Sequence, residues 1–207
     1  MQTVTIIDYG MGNLWSVKNA FEYLDCNVIL TNSPKDIEKA DTLILPGVGS
    51  YGLAMQKLSN LQLDEAILET VNLKKKKILG ICLGIQLLTK SSVEDGFTEG
   101  LKIIDQSTKK FKFDDKKIRI PHIGFNSVSV QNYKTSLLYK NLPDMCDFYF
   151  VHSYYIPTNP IIGNIGVCFY GCDFVASYEK DNIFATQFHP EKSQKNGLKL
   201  LKNFLII

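Results

Sequence analysis

The sequence predicts an α/β protein: a mostly parallel central sheet with helices on both faces, followed by a second half richer in antiparallel strands. Three observations carry this reading. Up to about Asp105, short apolar runs alternate with amphipathic stretches. Leu43-Ile44-Leu45 is apolar throughout instead of alternating, as a strand covered on both faces would be. Beyond Asp105, strand-like runs succeed one another across turns rich in Asn, Asp, Gly and Pro.

Taken in order, Val4 to Ile7 reads as the first strand, and Leu14, Val17, Phe21 and Leu24 fall on one face of a following helix. Cys26 to Leu30 makes a second strand, and Ser33-Pro34 with Asp36 opens a short helix or turn. The third strand, Leu43 to Leu45, ends in Pro46-Gly47-Val48-Gly49, which reads as a loop or tight turn. Leu63, Ala66, Ile67 and Val71 mark the next helix, and Lys77 to Ile81 the next strand. Further strands are expected at Lys109 to Phe113, Phe125 to Val130, Phe148 to His152, Phe174 to Tyr178 and Ile183 to Gln187. Leu198, Leu201 and Leu205 close the chain with a helix. With no repeat, low-complexity tract or linker, residues 1–207 are expected to form one domain.

Composition narrows the function. The 207 residues are 45% hydrophobic and 21% charged, with a net charge of +2, too small to suggest a nucleic-acid binder. The basic run Lys74 to Lys77 reads as a solvated lead-in to a buried strand. The five cysteines are scattered and odd in number, unlike a disulfide framework, and Cys168 with Cys172 lacks a second pair to complete a zinc site. The N-terminal stretch lacks a basic region and cleavage signal, and no apolar run reaches membrane-spanning length. The expectation is a reduced, cytoplasmic protein with no metal or organic cofactor.

The most informative stretch is Lys77-Ile78-Leu79-Gly80-Ile81-Cys82-Leu83-Gly84-Ile85-Gln86. A strand runs into Gly-x-Cys-x-Gly and straight out into a helix, the thiol version of a nucleophile elbow. So tight a turn needs glycine on either side of the nucleophile. It also sets Cys82 at a helix N-terminus, where the Leu83 N–H would face a developing oxyanion. A lone cysteine between glycines is more often a core residue, so the presence of a base decides. Of the three histidines, His189 stands in Gln187-Phe188-His189-Pro190-Glu191-Lys192, after a strand-like run. Residues two apart in extended chain project to the same side, so Glu191 can reach and orient its imidazole. Cys82, His189 and Glu191 are the predicted catalytic set.

With these residues in hand the chain resembles the class I (triad) glutamine amidotransferases, specifically the glutaminase subunits of imidazole glycerol phosphate synthase. The matching segments are Ile7 to Leu14 (IDYGMGNL), Leu45 to Gly49 (LPGVG), Gly80 to Gln86 (GICLGIQ), Ile120 to Gly124 (IPHIG), Val151 to Tyr155 (VHSYY) and Gln187 to Ser193 (QFHPEKS). They occur in the family's order and cover nearly the whole chain. The resemblance implies a flavodoxin-like fold and assigns the Val48 peptide to the second half of the oxyanion hole. In that family this peptide is held to require reorientation when the partner's ligand binds. It further implies that Gly49, Gln86, Glu94, His152, Ser153 and Tyr154 contact L-glutamine. Gln86, one turn past Cys82, is also within reach by spacing. A (β/α)₈-barrel cyclase of the HisF type is the implied partner in a heterodimer and receives the ammonia directly. The Gly10 to Leu14 loop, Tyr149 and Lys192 are expected near that interface.

Three features stand outside this set. Gly10-Met11-Gly12-Asn13-Leu14 lacks the third glycine of a dinucleotide loop, so cofactor binding is rejected there. His122 is either a structural histidine or an interface contact. Phe125 stands where the histidine-pathway subunits commonly carry Trp, keeping the aromatic body without the indole donor. This leaves open a paralogous subunit that supplies ammonia for sugar amidation in surface-polysaccharide synthesis. A non-catalytic binding module of the same fold and a cysteine peptidase are further alternatives, disfavoured by the intact Cys-His-Glu set and the glutamine-pocket segments.

Overall fold

The computed structural model describes residues 1–115 and 117–207. In the first half, β1 (Thr3–Ile7), α1 (Leu14–Tyr23), β2 (Asn27–Thr31), α2 (Pro34–Lys39) and β3 (Thr42–Gly47) alternate. They are followed by α3 (Tyr51–Asn60), α4 (Leu63–Leu68, extended by a π-type turn through Leu73), β4 (Lys77–Cys82) and α5 (Leu83–Leu87). Short strands β5 (Ser91–Ser92), β6 (Thr98–Glu99) and β7 (Lys109–Lys110) lead to β8 (His122–Val130) and β9 (Met145–His152). Then come β10 (Tyr154–Tyr155), β11 (Asn164–Phe169), β12 (Asp173–Lys180), β13 (Ile183–Thr186) and α6 (Gln194–Ile206).

Nine strands form one sheet in the order β2-β1-β3-β4-β13-β12-β11-β8-β9. The first five run parallel, in the 2-1-3-4-5 sequence of flavodoxin-like sheets. The remaining four are antiparallel. The division expected near Asp105 is therefore real, with one exception: the late strand β13 returns to lie parallel beside β4. Helices cover both faces of the parallel part. Ile6, Ile44 and Leu79 point into one apolar cluster with Phe21 and Phe204. Leu43, Leu45 and Ile78 point into a second, with Leu58 and Ile67. That double cover is why β3 is apolar at every position from Leu43 to Leu45.

Some expectations need correction. Pro46 and Gly47 continue β3 instead of leaving it, pairing with Ile81 and Cys82. Proline is tolerated because β1 pairs with β3 only at Leu43 and Ile44, so no ladder bond is lost on that side. The strand expected over Lys109 to Phe113 is two residues long, paired with β10. Phe111 and Phe113 instead enter an aromatic cluster in which Phe111 stacks on Tyr155 at 4.5 Å. Besides the two-residue strands β5, β6 and β10, two longer elements lie beyond the expectations from sequence. Helix α3 is one, although its buried Tyr51, Ala54 and Leu58 keep helical spacing. Strand β11 is the other, its pattern interrupted by Gly166. A side chain there would collide with the Ser177 hydroxyl.

Candidate active site

The C-terminal ends of β3 and β4 and the chain following β9 and β13 meet at one point, where open α/β sheets present their ligand sites. Cys82 is the last residue of β4, at φ 55° and ψ −105°, a conformation that L-residues rarely adopt. The flanking glycines are required by contact. A Cβ on Gly84 would overlap the Leu45 carbonyl oxygen, and one on Gly80 would lie 2.9 Å from the Gly84 backbone. Leu83 begins α5, so its N–H lies outside the helical ladder and is free for a ligand atom. The Cys82 thiol faces the Val151 carbonyl oxygen at 3.7 Å, and the amide of Gln187 donates to its sulfur at 3.9 Å.

His189 and Glu191 are paired, Nδ1 to Oε1 at 2.8 Å, with side chains 3% and 1% exposed. The route differs from the expected extended chain: Pro190–Lys192 is a 3₁₀ turn. Ser193 holds this turn, its hydroxyl donating to the His189 carbonyl at 2.6 Å and accepting the Tyr149 N–H at 2.9 Å. The His189 N–H in turn donates to the Tyr149 carbonyl at 2.9 Å, tying the turn to β9. Burial works against charge on the imidazole, but the neighbouring Cys82 sulfur and the Glu191 carboxylate outweigh it, raising its pKa to about 10. His189 Nε2 and Glu191 Oε2 are buried without a hydrogen-bond partner among the described residues. Such orphaned atoms are uncommon except where a reaction completes them.

In front of Cys82 opens a cleft of about 300 Å³, at the lower end of small-molecule sites. Its walls include Val48, Gly49, Leu83, Gln86, Glu94, His152, Ser153 and Tyr154, every residue expected to form the oxyanion hole or touch substrate. His189 and Glu191 lie outside this lining, while Pro121 and Val151 join it unforeseen. Gly49 takes φ +103°, which bends the chain after β3 around the cleft. Glu94 accepts the Tyr51 N–H at 2.8 Å, at the start of α3. Burial raises the Glu94 pKa.

Gln86 donates to the Tyr154 carbonyl at 3.0 Å and to Gln187 Oε1 at 2.9 Å, so its own amide oxygen is the end left for a ligand. His152 has both ring nitrogens engaged, Nδ1 with the Tyr154 carbonyl at 2.8 Å and Nε2 with His122 Nδ1 at 3.1 Å. Its contribution to a ligand is therefore shape and backbone, not a free ring nitrogen. His122 stands behind it, stacked on Tyr170 at 3.9 Å and on Phe150 at 4.8 Å. Burial pushes the His122 pKa down to about 4 and the His152 pKa down to about 3. Sequence reasoning also missed Gln187 and Ser193. Both lie in the His189 motif, but nothing in the sequence tells that their polar ends turn inward. Among the described residues, no group of three or more His, Cys, Asp or Glu could hold a metal ion.

The family described as glutamine amidotransferase class-I matches residues 5–207. A strained cysteine elbow, a buried His–Glu pair and a small cleft on a flavodoxin-like sheet agree with that match, and the chain belongs to the class-I glutamine amidotransferase family. Its similarity to particular members is high. It is 47% identical over 202 residues to imidazole glycerol phosphate synthase subunit HisH 1 of Campylobacter jejuni strain RM1221, covering 98% of each chain. It is 44% identical over 202 residues to subunit HisH of Chlorobaculum tepidum, covering 97% of this chain and 98% of that one. Among solved structures, a Thermoplasma acidophilum protein described as a GMP synthase subunit superposes with a TM-score of 0.70 at 22% identity. That match covers 99% of this chain and 92% of the other. PurLQS from Thermotoga maritima also gives 0.70, at 17% identity, covering 99% and 98%. These distant likenesses show the fold.

Proposed function

We propose that the chain, acting as one domain in the cytoplasm, is the glutaminase subunit of an imidazole glycerol phosphate synthase. It releases ammonia from L-glutamine and passes it to a (β/α)₈-barrel cyclase of the HisF type. In this reading Cys82 gives its proton to His189 and attacks the side-chain amide carbon, forming a C–S bond. The oxygen that gains charge is met by the Leu83 N–H and, once its peptide is reoriented, by the Val48 N–H. The His189 imidazolium then protonates the departing nitrogen as the C–N bond breaks, leaving a thioester and ammonia. Neutral His189 takes a proton from water, hydroxide adds to the thioester, and glutamate leaves as the C–S bond breaks. Glu191 keeps the imidazole oriented throughout.

Ligand recognition follows from the same walls. Glu94 faces the substrate ammonium, the Gln86 amide oxygen accepts from a substrate N–H, and the backbone of residues 152–154 with Gly49 surrounds the rest. Beside the cleft, the outer face of β8 and β9 presents exposed apolar side chains. Ile123 and Phe125 are 59% and 50% exposed, and Phe125 packs edge-on against Tyr149 at 5.5 Å. Ile123 pairs across the strands with Val151 of the cleft. An uncovered apolar face continuous with the cleft suits a partner that receives ammonia at this point. The single observation that carries the proposal is the buried His189–Glu191 pair set behind a strained Cys82 at the floor of the cleft.

The test is ammonia release from glutamine, with and without a histidine-pathway cyclase subunit and its ribulosyl ligand. Strong stimulation that vanishes in Cys82→Ala is the expected result. Release from glutamine that no cyclase or ligand stimulates would remove the histidine-pathway assignment, and unchanged release by Cys82→Ala would remove the triad.

A further inference from the structure

Gln187 is fully buried beside the nucleophile, and no step above uses it. We infer that Gln187 is a hydrogen-bond donor that holds the Cys82 sulfur in its ionised form, its orientation imposed by a buried chain of hydrogen bonds that starts at a backbone carbonyl. The inference rests on the reading of Cys82 as the nucleophile.

The orientation follows from which atoms can only accept. The Tyr154 carbonyl oxygen has no hydrogen to give, so the Gln86 end that meets it at 3.0 Å is the NH₂ group. The same NH₂ meets Gln187 at 2.9 Å, so the Gln187 atom there is the carbonyl oxygen. That leaves the Gln187 NH₂ facing Cys82 Sγ at 3.9 Å. Reversing Gln187 alone would set two NH₂ groups against each other, and reversing Gln86 would set two carbonyl oxygens together. Gln187 is wholly shielded from solvent, so neither arrangement is compensated.

The other side of the Tyr154 carbonyl agrees. It accepts His152 Nδ1–H at 2.8 Å, which makes His152 Nε2 the acceptor of His122 Nδ1–H at 3.1 Å. His122 Nε2 then accepts from Asn126 Nδ2 at 3.4 Å. That nitrogen is fixed independently, because it also donates to the Phe169 carbonyl at 3.0 Å. The backbone under Gln187 is pinned as well, its N–H on the Ala176 carbonyl at 2.8 Å.

The sulfur thus sits between an acceptor and a donor. While protonated, it can give its hydrogen to the Val151 carbonyl at 3.7 Å. Once ionised, it loses that bond and faces a carbonyl dipole, and the Gln187 N–H becomes its fixed favourable contact alongside His189. Gln86 acts through Gln187 and is a positioning residue.

The test is the pH dependence of iodoacetamide alkylation, followed at the Cys82 peptide by mass spectrometry, in wild type, Gln187→Leu and Gln187→Glu. Circular dichroism and thermal melting report whether each is folded. Alkylation needs no glutamine or partner, so it reads the thiol separately from the overall reaction. Loss of one charge-assisted hydrogen bond is expected to slow alkylation at neutral pH by about tenfold or more and to move the midpoint to higher pH. Gln187→Glu keeps the acceptor for Gln86 and replaces only the donor, so it decides the matter should Gln187→Leu fail to fold. A folded variant with the wild-type pH profile would overturn the inference while leaving Cys82 the nucleophile. A wild-type Cys82 no more reactive than free cysteine would overturn both.

Discussion

Two demands at single residues shape the site, and ordinary side chains cannot meet them together. Cys82 must sit at φ 55°, and Gly84 must let α5 approach the Leu45 carbonyl oxygen. Gly84→Ala is therefore expected to cost about 3 kcal/mol or more of stability, read as a lowered urea midpoint, because backbone and not a movable side chain stands in the way. The histidines give the protein opposite pH responses. The folded-state pKa of His189 is raised from 6.5 to about 10, so its contribution is whole below pH 6.5 and is lost as pH rises towards 10. The melting difference between wild type and His189→Gln should accordingly shrink across that window. For His122 and His152, lowered to about 4 and about 3, the unfolded chain takes up protons first. Stability then falls as pH drops from 6.5 towards these values, and nitrogen NMR at pH 6 should find both rings neutral with hydrogen on Nδ1.

Among the strands and helices, the second half of the sheet is fastened by a buried carboxylate as well as by its apolar face. Glu179 on β12 accepts the Leu137 N–H at 2.9 Å, the Leu138 N–H at 3.1 Å and the Asn164 amide at 2.9 Å, and it also bonds the Ser136 hydroxyl. These bonds fasten the segment between β8 and β9 to β12. Glu179→Ala should lower stability by about 3 kcal/mol in chemical denaturation, since it strands several buried donors at once. Elements with an apolar period, such as β1, α1, β4 and α6, are legible in the sequence. Strand β11 is not, because Gly166 is placed by the approach of Ser177, a residue of another strand. The aromatic run at Phe111 to Phe113 misleads for a similar reason: its rings pack on Tyr155 and Tyr170, so the segment turns inward after two strand residues.

Across the molecule, the sheet order brings β4 between β3 and β13, although β13 comes far later in the chain. The nucleophile at the end of β4 and the His189 turn after β13 become neighbours through that parallel pairing. The cleft opens at the same edge as the apolar face of Ile123 and Phe125. Ile123→Glu should weaken association with the cyclase at least about tenfold by calorimetry, because it places a charge in an apolar contact. Glutamine hydrolysis in the absence of the partner should be unchanged, since Ile123 is outside the cleft lining. Equal affinity in the variant would move the docking surface elsewhere.

Taken alone, the order of residues specifies the α/β class and the elbow around Cys82, because each is written in a local pattern of glycine and apolar period. It also sets Glu191 next to His189, but the two meet through a 3₁₀ turn and not through the extended spacing read from the sequence. The residues expected around substrate came from resemblance, and all of them line the cleft. Three features exist only in the folded chain: Pro46 and Gly47 remain in β3, both ring nitrogens of His152 are occupied, and Gln187 turns its amide to the sulfur. These depend on which distant backbone carbonyl faces which polar group. A linear pattern carries no record of that, since His122 meets His152 across 30 residues and Gln187 meets Cys82 across 105, contacts made only when the sheet is assembled.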